Sequence, residues 1–392
     1  MSNHIGEYTL CANCGACQNT CPKDAIYIDK SDLFYKVCVD ETKCADCGLC
    51  KSVCPVNAPN PAQNLQKAYS AIHNDKSVVK KSSSGGVFSA IAEHVLESNG
   101  IVYGAAYTDD HMQVIYKSTD ETDIDALRRS KYVESLVGDS FRQIRAQLQN
   151  GRMVLFCGAP CQVAGLHRYL GKDYENLITC DFSCGGFPGH GVYAQYLEEL
   201  KQKNKGKNVT DANFRPKDYG WQIHSISVEF DGKKRYRSPM HTDPYFHSFL
   251  HSGAAKRSYC YQCDFSDNHY ADLILADFWL YGKLSSYPRV WDGLSLILAN
   301  SPKGVQIMEQ MEAKMEVRPV DLEKGAYNIK KSELDPKRLA QREAFLKDFR
   351  ENGIFKAAQH QGMPVGKAAK KSNLSTLVSK YKNRLKAAMK LR

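Results

Sequence analysis

The chain has 392 residues, 43% hydrophobic and 24% charged, enough to bury a substantial core and unlike a disordered or fibrous composition. Its formal net charge is +10, but nine Lys or Arg and no Asp or Glu fall between Lys367 and Arg392, so the body is near neutral and nucleic-acid binding is not expected. No run of eighteen apolar residues occurs, and no membrane-spanning helix is expected.

Cysteine dominates the first sixty residues. Cys11, Cys14, Cys17 and Cys21 precede Pro22 with the spacing C-x2-C-x2-C-x3-C-P, and Cys44, Cys47, Cys50 and Cys54 repeat it before Pro55. Each run gathers three thiolates on one tight loop and sends the fourth to the other repeat, the arrangement of a bacterial two-cluster ferredoxin. Cys11, Cys14, Cys17 and Cys54 are therefore assigned to one [4Fe-4S] cluster, and Cys44, Cys47, Cys50 and Cys21 to its twin. A structural zinc site would need only four thiolates, usually in two separated C-x2-C pairs. With no signal peptide expected ahead of the first run, thiols at this density point to a reducing, cytoplasmic setting. Between the runs, Ala25–Val39 reads as strand and turn, and Cys38 as a packing residue.

The pattern then changes. Residues 59–66 are polar and proline-punctuated, a linker between a module at 1–58 and a larger domain at 67–350. Helices and strands alternate after it. The expected elements are a helix at Val87–Glu97, a strand at Ile101–Tyr107, a helix at Val137–Asn150 and a strand at Met153–Phe156. A strand at Leu177–Phe182, a helix at His190–Lys203 and a hairpin from Ser225–Phe230 through Asp231-Gly232 to Arg235–Arg237 follow. A strand at Leu273–Ala276 closes the recognisable part of the sheet. The fold class expected is α+β in two domains: a ferredoxin-like module carrying two [4Fe-4S] clusters, then an α/β domain with a mixed sheet.

Four further cysteines stand in C-x3-C pairs at strand ends, Cys157 with Cys161 and Cys180 with Cys184. Were the two strands parallel neighbours, both loops would leave the carboxyl edge of the sheet, where open α/β folds place ligands. Cys260 and Cys263 lie ahead of the last strand on a loop that can reach the same edge. Cys161, Cys184, Cys260 and Cys263 are the candidates for a third cluster. Buried thiols, or zinc at Cys260 and Cys263, are the competing readings.

Three segments have ligand chemistry. Ser82–Phe88 (SSSGGVF) sets hydroxyls and glycines before a helix start, suited to a phosphate, although Ser84 as a plain helix cap is the better explanation of the segment alone. Arg128–Ser135 (RRSKYVES) sets cations beside an aromatic ring. At Asp277-Phe278-Trp279 a strand ends in a carboxylate flanked by aromatics. Asp277 and His190 are the first candidates for a catalytic acid. His247 and His251, four apart, read more simply as helix histidines than as metal ligands. Residues 351–392 form a basic tail whose apolar residues from Leu374 to Met389 fall at helical spacing, which fits an anionic membrane surface or an acidic partner and equally a solvated, frayed end.

The ferredoxin module followed by KAYSAIHND, SSSGGVFSAIA, SKYVES, VLFCGAPCQVAGL, DFSCGG, CYQCDFSD and ADLILADFW resembles the beta-subunit family of coenzyme F-420 hydrogenase/dehydrogenase, in its ferredoxin-fused bacterial branch, over roughly residues 1–350. The resemblance implies a flavin-binding α/β domain holding FAD, with iron-sulfur clusters feeding or draining the flavin. It implies flavin contacts at Ser84, Gly85, Gly86, Ser130, Lys131 and Tyr132, and it favours the third cluster, since Cys161, Cys260 and Cys263 match cysteines of the family. Cys157 departs from the pattern of many members. The function expected is an oxidoreductase passing electrons from a ferredoxin-like donor through [4Fe-4S] clusters to FAD and on to an organic substrate. For the bacterial branch, by analogy, that substrate belongs to cell-surface polysaccharide or nucleotide-sugar metabolism. The alternatives are a non-catalytic electron-transfer subunit of a larger redox complex and a structural zinc protein.

Overall fold

The structure, a computed structural model, describes residues 10–59, 64–218, 220–279, 291–321, 336–363 and 365. Its first fifty residues are two copies of one loop–helix unit. α1 (Ala16–Thr20) follows the first cysteines, β1 (Ile26–Asp29) and β2 (Lys36–Val39) pair antiparallel between the copies, and α2 (Leu49–Ser52) follows the second. The repeat holds at backbone level. Asn13 and Asp46 both take positive φ, at 54° and 52°, and so do Gly15 and Gly48, at 84° and 71°. These left-handed turns wrap each cysteine loop, at residue types that tolerate the conformation.

The large domain is built on β3 (Lys67–His73), β4 (Ile101–Tyr107), β5 (Val114–Thr119), β6 (Ser135–Leu136), β7 (Val154–Cys157) and β8 (Leu177–Phe182). Next, β9 (Val209–Asn213), β10 (Ser225–Phe230) and β11 (Lys234–Pro239) form an antiparallel sheet of their own. The chain then returns through β12 (Leu273–Asp277), β13 (Ser295–Ala299) and β14 (Met315–Pro319) to complete nine strands in the order β14-β3-β13-β12-β8-β7-β4-β5-β6. β4, β7, β8 and β12 pair parallel, β3 runs in their direction between antiparallel neighbours, and β5, β6, β13 and β14 run against them, so the sheet is mixed.

Among the described residues eight longer helices join α1 and α2: α3 (Lys76–Lys81), α4 (Val87–Glu97), α5 (Ser140–Gln149), α6 (Pro160–Leu170), α7 (His190–Lys203), α8 (Pro302–Gln310), α9 (Pro336–Asn352) and α10 (Ile354–His360). Strand alternation sorts the core onto two faces. Tyr103, Val154 and Phe156 pack with Phe141 of α5 and Val163 of α6, while Val102 and Leu155 pack with Ile91 of α4 and Met308 of α8. A sheet covered on both faces needs near-continuous apolar central strands, as in VLF at Val154–Phe156. A further core joins α7 and the small sheet to α9 and α10.

Several expectations change here. The helix expected from Val137 starts at Ser140, because Gly138 turns at φ 57°. Leu273–Asp277 does not close the sheet, since β13 and β14 follow it in the chain and extend the sheet beyond it. The packed body runs past residue 350: Ile354, Ala357, Ala358 and Met363 are buried, which moves the start of the tail beyond them. The basic segment after Val365, expected at helical spacing, lies outside the described residues. Among the described residues no helix is long and apolar enough to cross a membrane.

Candidate iron-sulfur and flavin site

The twelve candidate ligands fall into three quartets, each lining its own cavity. Cys11, Cys14, Cys17 and Cys54 line one, and Cys21, Cys44, Cys47 and Cys50 another, the crossed pairing expected from the spacing. Cys161, Cys184, Cys260 and Cys263 line the third. No group of three or more His, Cys, Asp or Glu among the described residues is placed to hold a single metal ion. Four thiols around a cavity fit a cubane, whose corner irons each take one sulfur. Exposure differs sharply between the quartets. Cys47 is exposed, whereas Cys14 and Cys17 are buried. Burial drives the Cys14 thiol up to about 12, and the neighbouring Cys54 and Cys11 push the same way. In the third quartet burial and then Cys263, Cys184, Cys14 and Cys260 raise Cys161. Iron binding would reverse this by taking the thiolates.

The third quartet is assembled by the parallel strands. β7 and β8 lie side by side with Cys157 opposite Cys180. Cys161 follows one turn on, second residue of α6, whose start is fixed by the Gln162 carboxamide: its oxygen accepts from Ala159 N at 3.0 Å and Tyr116 Oη at 2.8 Å. Cys184 leaves β8 on a glycine loop. Gly186 takes φ 97°, and a Cβ there would stand 2.8 Å from Cys260 Cβ, so this loop and the Cys260 loop can meet only over a glycine. Cys157 and Cys180 stay behind in the sheet and do not line the cavity. Burial raises both thiols; Cys157 is also near Asp181 and Lys131.

The first and third quartets are neighbours. Cys161 Sγ lies 3.7 Å from Ala12 O, and α6 passes beneath the first loop so closely that a Cβ at Gly165 would meet Cys14 Sγ at 2.9 Å. Gly165→Ala is therefore expected to disturb the first quartet and to lower bound iron by about four per chain, as measured by iron assay. Arg142 of α5 holds the module from the side, donating to Asn19 O at 2.8 Å, Cys21 O at 2.8 Å and Asp24 Oδ1 at 2.7 Å.

The three ligand-type segments also converge. Ser130 N donates to Ser83 Oγ at 2.8 Å, joining SKYVES to SSSGG. Arg215 Nη1 donates to Asp277 Oδ2 at 2.7 Å and reaches Tyr132 Oη at 3.4 Å, joining SKYVES to the end of β12. Trp221 Nε1 donates to Asp277 Oδ1 at 2.8 Å, and the Trp221 indole stacks on Trp279 at 4.5 Å. Lys217 Nζ donates to Ser84 O at 2.9 Å. Arg215, Lys217 and Trp221 escaped the sequence reading, though FRPKDYGW at 214–221 has the same mixture of cations and aromatics as RRSKYVES.

Ser84 is not the cap of α4. Gly86 occupies that position at φ 91° without a side-chain cap, while Ser84 Oγ donates to Leu294 O at 3.0 Å. An uncapped eleven-residue helix preceded by hydroxyls, with an arginine, a lysine and two stacked indoles beside it, suits the phosphates and ring of a flavin. Lys131 donates to three carbonyls, among them Arg128 O at 2.6 Å, and burial lowers it to about 7.

Asp277 and His190 are not brought together as an acid pair. Burial pushes the Asp277 carboxyl up, but Arg215 and the hydrogen bonds from Arg215 and Trp221 outweigh it and hold the group below the usual carboxylate range. A carboxylate so held does not donate a proton near neutrality. His190 instead stacks on Tyr35 of the N-terminal module at 3.7 Å, with Nε2 3.2 Å from Lys30 O. His247–His251 forms a single π-helical turn, and the side chain of His251 lies outside the described residues.

A two-cluster cysteine module seated on a mixed sheet that supplies a further cysteine quartet defines an iron-sulfur electron-transfer protein. Residues 10–58 match the 4Fe-4S dicluster domain, residues 68–140 the N-terminal model and residues 151–324 the C-terminal model of the coenzyme F420 hydrogenase/dehydrogenase beta subunit. The chain belongs to that family. Among solved structures it is similar to a chain of the F420-reducing [NiFe] hydrogenase complex from Methanosarcina barkeri, at 16% identity and TM-score 0.42, over 77% of this chain and 94% of that one. No curated protein matches.

Proposed function

We propose that the chain is an iron-sulfur flavoprotein oxidoreductase that takes single electrons from a ferredoxin-like carrier and delivers them in pairs, through FAD, to an organic substrate. The observation that carries this reading is the span of one short segment. Ser130 is bonded to the SSSGG loop, and four residues later Glu134 and Ser135 line the cavity of the third quartet. The groups suited to a flavin and the innermost cysteines are thus held by the same stretch of backbone. When bound, the clusters would supply one-electron steps and the flavin the conversion to two-electron chemistry.

The residues of the chain divide the remaining work. Cys47 and its partners present the second quartet at the surface, where a carrier protein can approach it. Cys14 and Cys17 are buried and the third quartet is half-buried, which limits the access of water and oxygen to the inner sites. Arg215 and Lys217 would hold flavin phosphate, and the exposed face of Trp279 offers a stacking surface. Anaerobically purified protein tests the proposal: it is expected to contain one FAD per chain and to oxidise a reduced ferredoxin in the presence of an organic acceptor. Protein whose flavin bleaches with dithionite but which turns over nothing without a partner would instead be a relay subunit. Protein with zinc and no acid-labile sulfide would reject both.

A further inference from the structure

Between the first and third quartets lies a buried ion pair. Glu134 and Arg257 are each 5% exposed at the side chain, and the Arg257 Nη1 group bonds directly to Glu134 Oε1. Arg257 also donates through Nε to Cys11 O at 2.6 Å and through Nη1 to Tyr35 O at 2.8 Å. Glu134 Oε2 accepts from Tyr35 N at 3.1 Å, and His190 Nδ1 stands 3.7 Å away. Both charged residues line the cavity of Cys161, Cys184, Cys260 and Cys263, and Arg257 O accepts from Cys260 N at 3.0 Å.

We propose that this pair sets the reduction potential of the third cluster, Arg257 favouring the added electron and Glu134 opposing it. The inference rests on reading those four cysteines as a cluster site. Net charge near the cluster and hydrogen bonding are the levers by which a protein moves such a potential. A full charge inside the protein acts far more strongly than one in water, because little solvent screens it. Breaking a buried pair is costly whichever partner is lost, so loss of stability does not distinguish the roles. The sign of the potential shift does.

The test is EPR-monitored redox titration of the anaerobic full-length protein with dithionite, which loses the one electron that the cluster gains. Glu134→Gln leaves Arg257 uncompensated and is expected to favour the reduced third cluster at least tenfold, about 59 mV upward for a one-electron couple. Arg257→Gln is expected to shift it downward, and Arg257→Lys, which keeps the charge, to stay near the wild type. Either Glu134→Gln or Arg257→Gln, whichever folds, suffices to read the sign. Unchanged potentials in Glu134→Gln and Arg257→Gln, or shifts of the same sign in both, at about twelve irons per chain, would overturn the inference alone. Wild-type protein with about eight irons would remove the cluster site and the inference together.

Discussion

Anaerobically reconstituted protein is expected to hold about twelve irons and as many acid-labile sulfides per chain, and the double variant Cys260→Ala/Cys263→Ala about eight. Both ligands of that variant come from a single turn around residues 258–263, so their loss leaves only Cys161 and Cys184, too few to retain a cubane. The eight N-terminal cysteines line two separate cavities and are expected to keep their iron. Cys157→Ala and Cys180→Ala serve as controls. These two thiols stand opposite each other within the sheet and outside the third cavity, so each single variant should still hold about twelve irons. Iron and sulfide assays with EPR of the reduced protein read all four results. Eight irons in the wild type, or twelve in the double variant, would defeat the assignment.

Asp277→Ala is expected to destabilise the protein by about 3–5 kcal/mol and to abolish flavin retention, because it strands the Arg215 guanidinium without its counter-charge. The side chain of Arg215 is 5% exposed and that of Asp277 16%, so water cannot replace the lost partner. Trp221 loses its acceptor in the same step, and its stacking on Trp279 goes with it. Urea unfolding of the as-isolated protein, alongside flavin release measured by fluorescence, reads both effects. Replacing both residues, as Arg215→Met/Asp277→Leu, is expected to recover stability but not flavin, since well-packed apolar groups substitute for a buried pair only in packing. The pH dependence has a defined sign. The folded pKa of Asp277 is lower than its unfolded value, so its contribution is complete above the ordinary carboxylate range and is lost as pH falls through the folded pKa. Asp277→Asn should remove that part of the acid sensitivity while leaving the slope above pH 6 unchanged.

Much of this protein is written locally. Two cysteine runs of fixed spacing impose the same left-handed turns at residues 13, 15, 46 and 48, and a loop so wound has only one economical way to share eight thiols. Val87–Glu97, Ile101–Tyr107, Leu177–Phe182 and His190–Lys203 have the bounds expected of them, because each is a periodic run closed by a glycine, a polar cap or a turn. Lys67–His73, Ser295–Ala299 and Met315–Pro319 were not recognised, although they carry one side of the large sheet. These are short strands without hairpin turns between them, and their pairing spans more than two hundred residues. No local pattern encodes such a contact.

The sequence by itself determined which residue types are present and at what spacing: twelve cysteines that read as three sets, and serines, cations and aromatics gathered in short segments. Tertiary structure decided what those residues do to one another. The parallel register of β7 and β8 is what brings two C-x3-C loops to one edge. Chain crossings of this kind also bring Arg215 to Asp277 and Arg257 to Glu134, partners 62 and 123 residues apart. A buried charge is stabilised only by a counter-charge within contact distance, and in these two cases distance in space bears no relation to distance along the chain.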